Sequence, residues 1–246
     1  DELASFHYEK ISNTLIQKVD CKGKKVIDVG CGTGILSLII LEKNVAKLTC
    51  FDQSELMLEK CRGKAASEGY GEDLVSFHEG DAEALPFKDA TYDVVFFNMV
   101  LGMIPNQQAT IKELIRILRP GGTIALSAHG PAHYMEAVEA AVKSMNMRYF
   151  LGHRFEFWPR DENEIKSFFM NAGVDNIQTE RLTWIDEFED GGEVFDFFAS
   201  SSGLWWYHRL PPDIRNKETE KTRTYFQRKN VTKMSSDVVF AIGKKR

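Results

Sequence analysis

The sequence predicts an α/β protein with a doubly wound sheet, mostly parallel with an antiparallel C-terminal strand, and helices on both faces. Three observations predict it. β-branched and apolar runs alternate with helix-like segments through the first half of the chain, and a βαβαβ rhythm is the pattern of a parallel sheet. Val94-Val95-Phe96-Phe97 is a continuous apolar block, as suits a strand buried on both faces. Val26-Ile27-Asp28-Val29-Gly30-Cys31-Gly32-Thr33-Gly34 runs a strand into three alternate glycines, which permit turns and close approaches that a Cβ would block.

The elements follow in order. Lys24 to Val29 reads as the first strand and Ile35 to Lys43 as a helix. Ala46 to Asp52 is a second strand. Ser54 to Glu68 is a helix with Ser54 as its N-cap. Leu74 to His78 and Tyr92 to Asn98 are the third and fourth strands. Gln107 to Leu118 carries Ile111, Leu114, Ile115 and Leu118 along one side, the spacing of a helix. Arg119-Pro120-Gly121-Gly122 breaks it, and Thr123 to Ala128 is the fifth strand. Helices are expected over Pro131 to Met147 and Asp161 to Ala172, with Gly173 past the latter's end. Val174 to Thr183 reads as a sixth strand, Asp213 to Lys229 as a helix and Asp237 to Ile242 as the last strand. Without repeats or a Pro/Gly/Ser-rich linker, residues 1–246 read as a single domain. Its core is 20–128, with substrate-side insertions at 129–160 and 184–235.

Composition narrows the function classes. The longest apolar run, Ile35 to Leu41, is far too short to span a bilayer. The N-terminus lacks a basic-then-apolar signal pattern, so a cytoplasmic protein is expected. The chain begins at Asp1 rather than Met, which leaves open a segment ahead of it. The net charge of −5 argues against broad nucleic-acid binding, although residues 209–246 hold a balance of +7. That basic stretch reads first as a solvated helix face. Cys21, Cys31, Cys50 and Cys61 form no pair at metal-ligand spacing in the sequence, so reduced, buried thiols and no metal are expected.

The glycine run is not the G-x-G-x-x-G of dinucleotide sites, because its third glycine comes one residue early and Asp28 precedes the first. The helix after it turns free amides toward the ligand's polar end, and Asp28 is placed to serve an ammonium. Asp52, at the end of the second strand, can accept from both hydroxyls of a ribose. The alternative for Asp52 is a helix cap, for which Ser54 is better placed. Gly80-Asp81-Ala82-Glu83-Ala84-Leu85-Pro86-Phe87 follows the third strand; there an acid can accept from an exocyclic amine while the next backbone amide donates to the ring.

Together these motifs resemble the Rossmann-like class I S-adenosylmethionine-dependent methyltransferases. Similarity is greatest to the small-molecule group that includes the ubiquinone and menaquinone biosynthesis C-methyltransferases. Tyr92-Asp93-Val94-Val95, and Glu113 with Arg116-Ile117-Leu118-Arg119-Pro120-Gly121-Gly122, extend the match over about residues 20–128. The resemblance implies S-adenosylmethionine as cofactor. It implies contacts from Asp28, Gly30, Cys31, Gly32 and Gly34, from Asp52, Gln53 and Met57, from Asp81 and Ala82, and from Asn98. After the fourth strand, Asn98-Met99-Val100-Leu101-Gly102-Met103 departs from the aromatic or histidine-rich turn of many relatives. The implied function is methyl transfer to a small apolar or aromatic molecule. Alternatives are a methyltransferase acting on RNA or protein, or a non-catalytic cofactor-binding module.

A sulfonium methyl is already activated, so alignment and exclusion of water carry most of the reaction, and a base is needed only if the acceptor must lose a proton. His129 and His133, after the fifth strand, are the candidate bases; His153, Tyr134 and Trp158 stand behind them. Residues 184–208 hold eight aromatics. Trp184, Phe195, Phe198, Trp205 and Trp206 are therefore expected in a lid over the substrate, with Gly191-Gly192 and Ser200-Ser201-Ser202-Gly203 as flexible joints. The other readings are a purely packed insertion or a dimer contact, which leaves a homodimer open.

Overall fold

The computed structural model describes residues 5–144, 161–200 and 211–246. In chain order the elements are α1 (Ser5–Ile16), β1 (Lys25–Val29), α2 (Ile35–Leu41), β2 (Lys47–Asp52), α3 (Glu55–Ser67), β3 (Val75–Glu79) and β4 (Tyr92–Asn98). A 3₁₀ turn (Leu101–Met103) follows. Then come α4 (Gln107–Ile117), β5 (Leu118–His129), α5 (Met135–Ser144), α6 (Glu162–Asn171), β6 (Val174–Glu187), α7 (Gly191–Ser200), α8 (Pro212–Arg228) and β7 (Lys233–Lys245).

The seven strands form one sheet in the order β3-β2-β1-β4-β5-β7-β6. β1 pairs parallel with β2 and β4, β2 with β3, and β4 with β5, and the C-terminal strands are antiparallel. The doubly wound prediction holds. The order reverses beside β1, so β1 and β4 leave the sheet toward opposite sides, and ligands collect at such a switch point.

The described residues divide into two compact units. The larger contains 6–130, 161–181 and 239–246; the smaller contains 131–144, 182–200 and 211–238. In the larger, Ile27, Val29, Val95, Phe97, Ile124 and Leu126 pack with Ile111, Leu114 and Ile115 of α4 and with Phe169 of α6. The helix sides read from the 3.6-residue spacing are therefore the buried sides. Arg116 clamps the Leu85–Phe87 loop onto α4: its guanidinium donates to the carbonyls of Leu85 (2.9 Å) and Phe87 (2.7 Å) and pairs with Glu113 and Asp89. Glu113 also accepts from the Leu85 amide at 3.2 Å. That network is the physical content of the Glu113/Arg116 motif.

In the smaller unit, α7 and α8 join through rings. Phe195 and Phe198 both meet Phe226, with centroids 5.6 and 6.3 Å apart, and Tyr134 meets Phe197 and Phe198.

Three expectations need correction. The chain does not pause between α4 and the fifth strand. β5 pairs from Leu118 opposite Tyr92, then from Thr123 opposite Val94. The intervening Pro120-Gly121-Gly122, with Gly121 at φ +75°, bulges out of the ladder. Proline has no amide to give to a ladder, so the excess residues loop out instead of ending the strand. The sixth strand does not end at Thr183. Its every-other-residue burial continues through Trp184 and Asp186 to Glu187, which puts Trp184 within β6. Gly191 and Gly192 are not joints. They are the buried first turn of α7, and a Cβ on Gly191 would stand 2.2 Å from the Phe226 carbonyl oxygen. The pair is glycine because α7 and α8 touch backbone to backbone there. The other joint beyond Ser200, with Trp205 and Trp206, lies outside the described residues, as do His153 and Trp158.

Candidate functional site

The parallel strands β3, β2, β1 and β4 lie side by side, so their carboxyl ends share one edge. That edge brings together Asp81, Asp52, the Asp28–Gly34 loop and Asn98. The sequence-predicted groups thus come from four consecutive positions in the sheet.

The glycine loop is tied down at its start. The amides of Gly30 and Cys31 both donate to the Phe51 carbonyl at the end of β2, at 2.7 and 3.1 Å. Gly30, Gly32 and Gly34 all have positive φ, at 73°, 54° and 90°. Their roles differ. A Cβ on Gly30 would lie 2.4 Å from Val100, and one on Gly34 would lie 2.5 Å from the Cys61 sulfur, whereas one on Gly32 would meet nothing within 4 Å. Two glycines make room for protein, and Gly32 alone faces open space.

Asp52 is the hinge of the site. One carboxylate oxygen accepts the Gly32 amide at 2.8 Å and the other accepts the Ser54 amide at 3.0 Å. Ser54 precedes α3, yet its side chain makes no cap hydrogen bond. Asp52 therefore serves the start of α3 as well as the loop. A carboxylate has about four acceptor positions, so each oxygen keeps capacity for a hydroxyl. The Gly32–Asp52 contact spans twenty residues and nothing in the local sequence signals it. Gln53 and Met57 beside it are exposed.

Asp28 is almost wholly buried. Its Oδ2 accepts the Ser37 hydroxyl of α2 at 2.7 Å, and its Oδ1 has no hydrogen-bond partner among the described residues. Burial pushes its carboxyl up to about 7. Asp81 is exposed and holds its own turn, accepting the Glu83 amide at 2.8 Å. Ala82 is half-buried against the core. Asn98 is spoken for: its amide nitrogen donates to Ser12 of α1 at 3.0 Å, and its oxygen accepts from Ser127 of β5 at 2.5 Å. Neither serine is foreseeable from the sequence, because they lie 86 and 29 residues from Asn98 along the chain.

The candidate bases diverge. His129 is buried at the end of β5. Desolvation, with a smaller contribution from His7, holds its ring near pKa 3, so it is neutral over the physiological range. His133 lies in the smaller unit with Nδ1 2.9 Å from the Asp237 carbonyl and its ring 3.8 Å from that of Tyr134. Its surroundings are structural. Of the lid rings, Trp184 donates to Asp186 at 2.9 Å, and Phe195 and Phe198 are packed in the core of their own unit.

A family model described as a methyltransferase domain matches residues 20–188. The chain is 31% identical over 177 residues to 2-methyl-6-phytyl-1,4-hydroquinone methyltransferase 2 of rice, covering 71% of this chain but 46% of that protein. It is 31% identical over 176 residues to demethylmenaquinone methyltransferase of Clavibacter sepedonicus, covering 65% of this chain and 69% of that one. The match thus spans less than half the length of the rice relative. The YcgJ protein of Bacillus subtilis superposes with a TM-score of 0.67 at 18% identity, covering 98% of this chain and 99% of that chain, which shows the shared fold.

The cofactor of the family is S-adenosylmethionine. The buried, unpartnered Asp28 oxygen, the open cradle at Gly32 and the spare acceptor capacity of Asp52 fit a ligand with an amino-acid end and a ribose. A model that matches most of the chain, on a fold that carries its acids and glycines to one edge, places this protein in the methyltransferase-domain family.

Proposed function

We propose that this chain transfers a methyl group from S-adenosylmethionine to a small, ring-bearing apolar acceptor of the hydroquinone type. The observation that carries the cofactor half is the Asp52 carboxylate, held at the end of β2 by the Gly32 and Ser54 amides. A carboxylate fixed from behind by two amides accepts hydroxyls without first losing freedom of its own. Asp28 and Gly32, on a loop that Gly30, Cys31 and Gly34 shape, serve the methionine end. Asp52, with Gln53 and Met57, serves the ribose side, and Asp81 and Ala82 serve the adenine. Asn98 holds the end of β4 in place beside them.

The bound cofactor supplies a methyl group activated by the sulfonium charge. The chain's own residues position it and exclude water. Burial holds the His129 ring well below its ordinary range, so it is neutral at the end of β5. An electron-rich hydroquinone ring is itself nucleophilic and asks little of a base. Support for this acceptor comes from the rice and Clavibacter relatives, whose names specify a hydroquinone and a demethylmenaquinone.

The test is an assay of the purified chain with S-adenosylmethionine and alkylated hydroquinones, reading S-adenosylhomocysteine release and the mass of the product. Methylated hydroquinone is expected. Methyl transfer only to RNA or protein would overturn the acceptor assignment, and binding of NAD in preference to S-adenosylmethionine would overturn the cofactor assignment.

A further inference from the structure

Behind the glycine loop, three of the four cysteines converge. Cys31 comes from the loop, Cys50 from β2 and Cys61 from α3, and their sulfurs all lie within 4.8 Å of one another. All three are buried and free of disulfides. They stand 19 and 11 positions apart, so sequence spacing cannot show the cluster. Their polar contacts are long and weak: Cys31 to the Gly32 carbonyl at 3.7 Å, and Cys50 to the Ser37 hydroxyl at 3.4 Å. Gly34 lacks the Cβ that would occupy the space of the Cys61 sulfur. The fold thus presents three thiols from three separate elements to one small buried volume.

We propose that Cys31, Cys50 and Cys61 form a binding site for a thiophilic centre that takes three sulfurs, with trivalent arsenic as its best-fitting occupant. Coordination number and charge select the occupant. Structural zinc takes four ligands, and among the described residues no histidine, fourth cysteine or carboxylate shares this cluster. A divalent ion on three thiolates would also leave a net negative charge in a buried site beside Asp28, and such burial is costly. Arsenous acid avoids that cost. Three As–O bonds break and three As–S bonds form, each thiol proton leaves with a hydroxide as water, no electrons are transferred and the product is neutral. An occupied site would tether the loop that carries Gly30 and Gly32 to both β2 and α3. It is independent of which acceptor receives the methyl group.

The experiment is titration of the reduced chain with sodium arsenite, followed by intact mass, thiol count and melting temperature. One arsenic per chain is expected, with loss of three hydrogens and a fall from four titratable thiols to one. The melting temperature should rise, because a ligand that binds only the folded state stabilises it. Cys21→Ala should respond like the parent. Cys50→Ala and Cys61→Ala should bind arsenite at least about tenfold more weakly, since a third ligand held in place acts at high effective concentration. An adduct that has lost only two hydrogens, equal affinity in Cys50→Ala or Cys61→Ala, or tighter binding of cadmium than of arsenite would each overturn the site. The mass measurement on the parent chain decides the matter even if a variant fails to fold.

Discussion

The two compact units bury polar groups in different ways. In the larger, Asp28 is the one buried carboxylate among the described residues, and it sits at the candidate site. The smaller buries Asp186, Glu218 and Asp237 away from any motif. Its polar groups pair across long stretches of chain: Ser236 donates to Asp186 at 2.5 Å, Ser144 to Thr222 at 2.9 Å, and the Ser235 amide to Glu136 at 2.7 Å. In the larger unit, ordinary apolar packing holds the frame and irregular chemistry gathers at the strand ends. In the smaller, polar pairs and aromatic rings are themselves the frame. Chemistry read from a motif therefore belongs to the larger unit, whereas the described rings Phe195, Phe197 and Phe198 of the smaller one are packed in its core.

The largest expected effect tests that division. Phe226→Ala removes the ring that Phe195 and Phe198 pack against and should cost the smaller unit about 3–5 kcal/mol. Urea melts followed by near-UV circular dichroism would measure it, while calorimetry should find S-adenosylmethionine affinity nearly unchanged. Loss of cofactor binding together with stability would erase the distinction between the units.

Acid titration is the next probe. The folded pKa of His129, about 3, lies below the ordinary 6.5, so between those values the unfolded chain takes up a proton that the folded chain does not. Stability should therefore fall as pH drops through that window, by up to about 1.4 kcal/mol per pH unit from this group. Asp28 acts oppositely. Its folded pKa of about 7 lies above the ordinary 3.8, so the folded chain holds the extra proton and stability falls as pH rises between those values. His129→Gln should flatten the acid side of the stability profile relative to the parent, and Asp28→Asn should steepen it. Parallel profiles for all three proteins would show that neither group is buried as described.

Glycine substitutions separate packing from ligand space within the larger unit. Gly34→Ala forces a Cβ to 2.5 Å from the Cys61 sulfur and should lower stability by about 1–3 kcal/mol. Gly32→Ala meets no atom and carries only the strain of a left-handed conformation, about 1–2 kcal/mol. Its main effect should appear in cofactor affinity. Equal affinity for S-adenosylmethionine in Gly32→Ala and the parent would mean that the open space is not the ligand's.

Asp52→Ala should weaken S-adenosylmethionine at least about tenfold, since hydrogen bonds to a charged group contribute about 1.5–3 kcal/mol each. The same substitution releases the Gly32 and Ser54 amides, so a modest fall in melting temperature should accompany it. A large fall in melting temperature with unchanged affinity would make Asp52 a cap rather than a ribose ligand.

The sequence by itself determined the parallel strands, their doubly wound class and the strand ends that carry the acids, while their order in the sheet came from the tertiary structure. Apolar blocks such as Val94–Phe97 and the turns after Val29, Asp52 and Glu79 are local signals, and a parallel sheet puts every such turn on one side. Only the tertiary structure decided which residues share a contact when the chain between them is long. It brought Gly32 to Asp52, Asn98 to Ser12, and Cys31 to Cys50 and Cys61. It also turned Gly191-Gly192 from a supposed joint into a point of helix contact. Backbone periodicity is written residue by residue, but the meeting of two side chains depends on how whole elements pack, and no local pattern encodes it.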